Sequence, residues 1–110
     1  MIRVTVYKTR RHEYAGFDLS GHAGYEEAGH DIVCAAVSAL VINTVNSVEQ
    51  FTDDKTSCMS DDAEGNIQFR FKDTPSHDAS LLFDSMLLGL EAIEENSEYE
   101  PYIDIIFKEV

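Results

Sequence analysis

The residues whose types could perform covalent chemistry together are His22 and Cys34, which stand twelve positions apart on either side of a glycine-containing loop. A thiolate is a strong nucleophile, and a nearby imidazole can take up the thiol proton. A strand is expected to end just before His22, and a helix is expected to begin just before Cys34. The two side chains could therefore meet at that junction as the nucleophile and general base of a cysteine peptidase.

The predicted position of Cys34 suits a nucleophile. A helix is expected from about Ile32 to Gln50, with Asp31 as its N-cap, which places Cys34 in the first helical turn. A helix N-terminus carries a partial positive charge and unpaired N–H groups, and both stabilise a thiolate. The same N–H groups could form an oxyanion hole. Against this, a cysteine on an apolar helix is usually a small buried hydrophobe.

Neighbouring residues could support the pair. Asp31 could orient His22 as a third catalytic member, or it could simply cap the helix. Ser38 lies one turn after Cys34 on the same face, where its hydroxyl could assist the site or bond back to the Cys34 carbonyl. The loop before the helix supplies the candidates for substrate contact, which are Ala23, Gly24, Tyr25 and Gly29.

A metal site is the other chemistry that these residues allow. His30 precedes Cys34 by four positions, so His22, His30 and Cys34 could ligate a metal ion. The spacing matches no familiar zinc pattern, and no fourth ligand is evident. We therefore expect neither a metal nor another cofactor. Cys58 falls in a predicted strand and is expected to be a core thiol.

The elements that must position these residues follow from hydrophobic periodicity and turn signals. Thr74, followed by Pro75, is expected to cap the second helix. The order ββαββαβ predicts an α+β fold, with a mixed or antiparallel sheet of about five strands and two main helices. The predicted elements are strands at 1–7, 13–20, 55–60, 66–72 and 102–107, and helices at 32–50 and from 75 to about 96.

Length and charge limit the possible functions. A chain of 110 residues fits one domain covering 1–110, and a net charge of −13 argues against nucleic-acid binding and favours a basic partner. Two cysteines make no disulfide framework, and neither a signal peptide nor a membrane-spanning segment is expected. These features indicate the cytoplasm.

Two runs of residues resemble a known family. They are SGHAGY at 20–25 and GHDIVCAAVSAL at 29–40, and together they closely resemble the ribosomal-processing cysteine protease family, Prp. The C-terminal region, from Gly89 to Val110, is similar more loosely. The resemblance implies a cysteine endopeptidase that removes an N-terminal extension from the bacterial large-subunit ribosomal protein L twenty-seven, cutting after paired phenylalanines.

The same resemblance implies roles for particular residues. His22 and Cys34 match the family's catalytic pair, Asp31 and Ser38 match positions associated with the site, and Gly21 matches the glycine before the histidine. The segment 23–30 matches a loop that moves aside for substrate. The resemblance also implies a cytoplasmic homodimer.

Two other functions compete with the peptidase. The first is a non-enzymatic ribosome-assembly factor, an acidic domain that binds a basic ribosomal protein without cutting it. The second is a metal-dependent hydrolase that uses His22, His30 and Cys34. An apolar pocket for the aromatic substrate residues is required by the peptidase alone, and Tyr25 and the apolar helix are the candidates to line it.

Overall fold

The fold is seen in a computed structural model, which describes residues 1–21, 28–61 and 65–110, with the backbone alone at 28–31. The order ββαββαβ confirms the predicted α+β class. A short 3₁₀ helix, Glu100–Tyr102, leads into the last strand. The elements are β1 Ile2–Lys8, β2 Tyr14–Ser20, α1 Ala28–Phe51, β3 Thr56–Asp61, β4 Asn66–Phe71, α2 His77–Glu95 and β5 Ile103–Glu109.

The five strands form one mixed sheet in the order β3-β4-β2-β1-β5. β1 and β5 run parallel, and the other neighbouring pairs run antiparallel. Strands β3 and β4, which follow one another in the chain, pair as an antiparallel hairpin. Strand β3 lies at one edge, and five of its six residues are exposed.

Both helices cover one face of the sheet, where the core forms. The alternation of β1 turns Ile2, Val4 and Val6 toward the helices. Phe17 and Phe69 stack from neighbouring strands with ring centroids 5.5 Å apart. The helices complete the core with fully or almost fully buried Val33, Val37, Val41, Val48, Phe83, Met86 and Leu90.

Helix α1 begins earlier than the sequence predicted. Ala28, not Ile32, is its first residue, so Gly29 lies in the helix rather than in the preceding loop, and Asp31 is the fourth helical residue rather than the N-cap. Alanine is the strongest helix former, and acidic residues directly before it favour a helix N-terminus. Those preferences outweigh the cost of one glycine in the first turn.

The exposure of α1 also differs from expectation. Its apolar composition predicts a largely buried helix, but Ile32 and Ile42 are 54% and 47% exposed. Only the stripe that faces the sheet is covered, because in the described chain α2 packs beside α1 on the same face of the sheet rather than over it. An apolar outer face therefore remains on α1.

The apolar character of α1 bears on a second expectation, that no segment spans a membrane. Its segment Ile32–Phe51 is long and apolar enough to cross a membrane by length and composition alone. The uncharged run from Ile32 to Val48 produces this result. One stripe of the helix packs in the core, so the apolar composition is also explained by the fold. The absence of a membrane partner stays a prediction.

Helix α2 is capped by a different residue from the one predicted. Ser76, not Thr74, is the N-cap, and its Oγ accepts a hydrogen bond from the Ala79 N–H at 3.1 Å. The Ser76 N–H in turn donates to Asp54 at 2.7 Å. This tie to the chain after α1 favours the later start, which leaves Pro75 outside the helix.

The face of the sheet away from the helices carries a polar network. Asp18 accepts hydrogen bonds from the Tyr7 hydroxyl at 2.7 Å and from Arg70 Nη1 at 2.8 Å. The Arg70 guanidinium also lies 4.4 Å from the centre of the Tyr7 ring. Burial would raise the pKa of Asp18, but the bonds from Arg70 and Tyr7 outweigh it, so this pKa lies below its ordinary value.

Candidate active site

Cys34 is placed by α1 against the end of β2. It is the seventh residue of the helix, is half-buried, and lines a cavity of about 40 Å³. Ser38, one turn later, and Ser20, the last residue of β2, line the same cavity. The structure therefore brings the predicted nucleophile next to the predicted supporting serine and to the strand that leads toward His22.

The earlier start of α1 changes the predicted role of the backbone around Cys34. The unpaired N–H groups of a helix belong to its first four residues, which here are 28–31. The Cys34 N–H lies beyond them, so the prediction that Cys34 sits in the first turn is wrong, and its own N–H is no longer a candidate oxyanion donor. Side chains of a helix tilt toward its N-terminus, which directs Cys34 back toward that turn.

Gly21 has a structural reason to be glycine. Its φ is +82°, in the left-handed region that favours glycine, and an added Cβ would collide with the carbonyl oxygen of Met1. The chain thus turns away from β2 by passing closely over the start of β1. Gly21 fixes the path of the backbone immediately before His22.

A larger cleft adjoins the Cys34 cavity. It has a volume of about 350 Å³ and lies between α1 and the β3–β4 hairpin. Apolar side chains form much of its wall, among them Ile42 and Val45 of α1 and Ile67 of β4. Leu19, Ser38 and Gly65 line both spaces, so the two are adjacent. A cleft of this size and character suits an apolar side chain of a ligand.

This cleft was only partly foreseen from the sequence. The apolar helix was a candidate wall, and α1 does form one side. The other side, from the β3–β4 hairpin, was missed because the order of strands in the sheet decides which hairpin lies beside α1. Cys58 is the hairpin residue whose side chain lines the cleft, and it was assigned to the core instead.

Cys58 is not the core thiol that was predicted. It is exposed on the edge strand β3 and lines the cleft. Partial burial raises the pKa of its thiol, and the negative charge of Glu49 raises that pKa further. Its position at the sheet edge explains the difference, since edge strands bury less of each residue than central ones do.

Several predicted site residues lie outside the described part of the chain. They are His22, Ala23, Gly24 and Tyr25, and at His30 and Asp31 the backbone alone is described. The proposed pairing of His22 with Cys34, the role of Asp31 and the alternative metal site therefore stay predictions. Among the described side chains, no three histidine, cysteine or acidic groups cluster as metal ligands would.

Comparison with known proteins identifies the family. The sequence profile of the cysteine protease Prp family matches residues 1–104. This chain belongs to the Prp family. It is 38% identical to the ribosomal processing cysteine protease Prp of Staphylococcus aureus strain Mu50 over 90 residues, which cover 82% of this chain and 83% of that one.

Solved Prp structures share the fold. A crystal structure of an essential ribosomal processing protease Prp from S. aureus, in complex with a substrate peptide, matches with a TM-score of 0.90 and 33% identity, covering 98% of this chain and 100% of that one. A second S. aureus Prp structure, with a covalently linked product peptide, matches with a TM-score of 0.86 and 34% identity over the same shares of the two chains. As a member of the Prp family, this chain is a cysteine protease.

Proposed function

We propose that this chain removes the N-terminal extension of the bacterial large-subunit ribosomal protein L twenty-seven, cutting after paired phenylalanines, with Cys34 as nucleophile and His22 as base. The observation that carries the proposal is the half-buried Cys34 at a cavity that adjoins an apolar cleft, in a chain of the Prp family. The S. aureus relative, a ribosomal processing protease, was crystallised with a substrate peptide.

The reaction would proceed in two balanced steps. His22 takes the Cys34 proton, and the thiolate sulfur attacks the carbonyl carbon of the scissile bond. The tetrahedral intermediate collapses as His22 gives the proton to the leaving amine, which breaks the C–N bond and leaves a thioester on Cys34. Water, deprotonated by His22, then attacks the thioester carbonyl to give a second tetrahedral intermediate. This intermediate expels the Cys34 sulfur, which takes the proton back from His22, and the carboxylate product is released.

Chain connectivity supports the pairing of His22 with Cys34. Ser20 lines the Cys34 cavity, and His22 follows it by two residues. Two residues span at most about 7 Å of chain, so the connection from Ser20 is short enough for the proposed pairing. The turn at Gly21, with φ +82° and close to Met1, sets the direction in which the chain leaves β2.

The supporting residues act through the pair. Ser38 shares the cavity with Cys34 and is placed to hydrogen-bond a group that enters it. Asp31 lies three residues before Cys34, close enough along the chain to orient an imidazole over the thiol. We propose that the segment containing Ala23, Gly24 and Tyr25 moves aside for the peptide and contacts it.

The substrate suits the charge and the cleft. A net charge of −13 attracts a basic ribosomal protein over long range, and the apolar wall of the cleft suits a phenylalanine ring. Two free thiols, Cys34 and Cys58, suit the reducing cytoplasm, where we propose that the protein works. We also propose a homodimer, since both helices expose apolar side chains to solvent.

The test is mass spectrometry of a peptide that carries the ribosomal protein's N-terminal extension, incubated with the wild type and with Cys34→Ala. We expect one cut after the paired phenylalanines with the wild type and none with the variant. Cys34→Ser is the matched control, because it keeps the size of the side chain and removes the strong nucleophile. Binding without cutting by a folded wild type would instead favour the ribosome-assembly factor.

A further inference from the structure

We propose that the acyl side of the substrate, as an extended peptide, adds to the free edge of β3 as a sixth strand and places one of its apolar side chains in the cleft between α1 and β3. This inference rests on the proposed function, because it takes the peptide that Cys34 cuts as the occupant. It assigns a recognition role to the β3 edge, which neither the sequence motifs nor the proposed chemistry uses.

The first observation concerns which residues of β3 form backbone hydrogen bonds to β4 and which point their backbone groups outward. The Lys72 N–H donates to the Lys55 carbonyl at 2.9 Å, which makes Lys55 and Lys72 a hydrogen-bonded pair in the register that aligns Thr56 with Phe71. Hydrogen-bonded and non-hydrogen-bonded pairs alternate along an antiparallel ladder. The ladder bonds to β4 therefore fall on residues 57, 59 and 61, and the backbone groups of 56, 58 and 60 point away from β4.

The second observation is that those outward groups are open. β3 is the last strand of the sheet, and among the described residues none bonds to the outward backbone groups of Thr56, Cys58 and Ser60. An exposed strand edge is a template for another extended chain, and proteins recognise peptides in this way by adding a strand. Six residues of β3 offer about 20 Å of edge.

The third observation is where the side chains of β3 point. Cys58 lies opposite Phe69, a core residue, so it faces α1 and lines the cleft, as Ser60 does. Met59 lies opposite Gln68 and faces the other side of the sheet. A peptide strand beside β3 would alternate in the same way, and every second side chain would turn toward α1.

The fourth observation is that the cleft beside β3 lies next to the cavity of the proposed nucleophile. The cleft and the Cys34 cavity share Leu19, Ser38 and Gly65, so a chain lying along β3 passes beside the cavity that Cys34 lines. The cleft wall is apolar at Ile42 and Val45 and carries Asp61 and Asn66 at its rim. An apolar side chain of the peptide therefore suits this cleft.

The first experiment fills the cleft. Cys58→Phe should raise the KM for the extension peptide by roughly tenfold or more, the usual cost of losing one apolar side-chain site, with little change in kcat. Met59→Phe is the matched control on the opposite face and should leave KM unchanged. Equal KM values for the two folded variants would overturn the proposal, as would a change in oligomer mass with Cys58→Phe, which would assign the edge to a second copy of this chain.

The second experiment leaves the protein unchanged. Successive N-methylation of the acyl side of the peptide removes one backbone donor at a time, so strand addition predicts loss of cleavage at every second position. A uniform response along the peptide would overturn strand pairing even if Cys58→Phe fails to fold. Both experiments begin with the cutting of the unmodified peptide by the wild type, and failure at that point would count against the proposed function itself.

Discussion

At the scale of the residue, the chain carries two thiols in neighbouring but different surroundings. The reactivity of Cys34, the proposed nucleophile, can therefore be compared with that of Cys58 in the same protein. Cys34 lines the small cavity, beside Ser38, and Cys58 lines the wider cleft. The pKa of the Cys58 thiol is raised by partial burial and by Glu49, so less of it is thiolate at neutral pH. The base that we propose for Cys34, His22, has no counterpart among the groups that shift the pKa of Cys58, which are its partial burial and Glu49.

Alkylation of the folded protein at neutral pH should therefore modify Cys34 at least about tenfold faster than Cys58, since the thiolate fraction controls the rate. Peptide mapping by mass spectrometry after short exposure to iodoacetamide measures both sites in one sample. Glu49→Gln should speed the reaction of Cys58 and leave Cys34 unchanged, because it removes a negative charge that acts on Cys58. Similar rates at the two thiols of the wild type would contradict the assignment of Cys34 as nucleophile.

The sequence located these functional residues better than it described their surroundings. The motif around Cys34 predicted Ser38 on the same helical face, and both line one cavity. Gly21 was singled out by its place in the motif. The reason that the position needs glycine is the close approach of the Met1 carbonyl. That contact is between residues far apart in the chain, so the local sequence does not predict it. Cys58 was misjudged because burial depends on whether a strand is central or at an edge.

At the scale of the element, periodicity predicted the five strands and two helices because each alternates or repeats on its own. Helix starts were less accurate, since competing caps lie within a few residues of each other. At α2 the choice of Ser76 over Thr74 comes with a contact to Asp54, 22 residues away. The pairing of β2 with β4, which brings the β3–β4 hairpin beside α1 and creates the cleft, is likewise a property of the sheet and not of any strand.

The polar network between β1, β2 and β4 gives a prediction about pH. The pKa of Asp18 is lowered in the folded state, so its carboxylate stabilises the fold above the ordinary aspartate pKa and loses that effect as pH falls through the lowered value. Arg70→Met should reduce the free energy of unfolding at pH 7 by no more than about 1 kcal/mol, because Arg70 is partly exposed. Urea unfolding at a series of pH values should show this difference shrink below about pH 4.

The control for this prediction is Arg3→Met. Arg3 pairs with Asp104 at 3.4 Å, and both side chains are more exposed than Arg70 and Asp18 are. Arg3→Met should reduce the free energy of unfolding by less than Arg70→Met does, because exposed ion pairs contribute little. A pH-independent effect of Arg70→Met would mean that Arg70 acts by packing on the Tyr7 ring and not through the Asp18 carboxylate.

At the scale of the whole molecule, charge and apolar surface have separate roles. The net charge of −13 keeps copies of the chain apart at long range and attracts a basic substrate. The helix side of the molecule nevertheless exposes Leu81 and Leu88 on α2, at 56% and 74%, and Ile32 on α1, at 54%. Side chains of this size on two helices are typical of a surface that a second copy covers, which is the basis for the proposed homodimer.

Light scattering of the wild type should therefore give twice the chain mass of 12.3 kDa, with a monomer fraction that grows on dilution and shrinks with added salt as the repulsion is screened. Leu88→Lys should shift that equilibrium toward the monomer, because it places a charge where an apolar contact forms. Met59→Lys carries the same change on an exposed apolar residue of the sheet side and should have no effect. A monomeric wild type would contradict the homodimer, whereas dissociation by Met59→Lys alone would move the interface from the helices to the sheet.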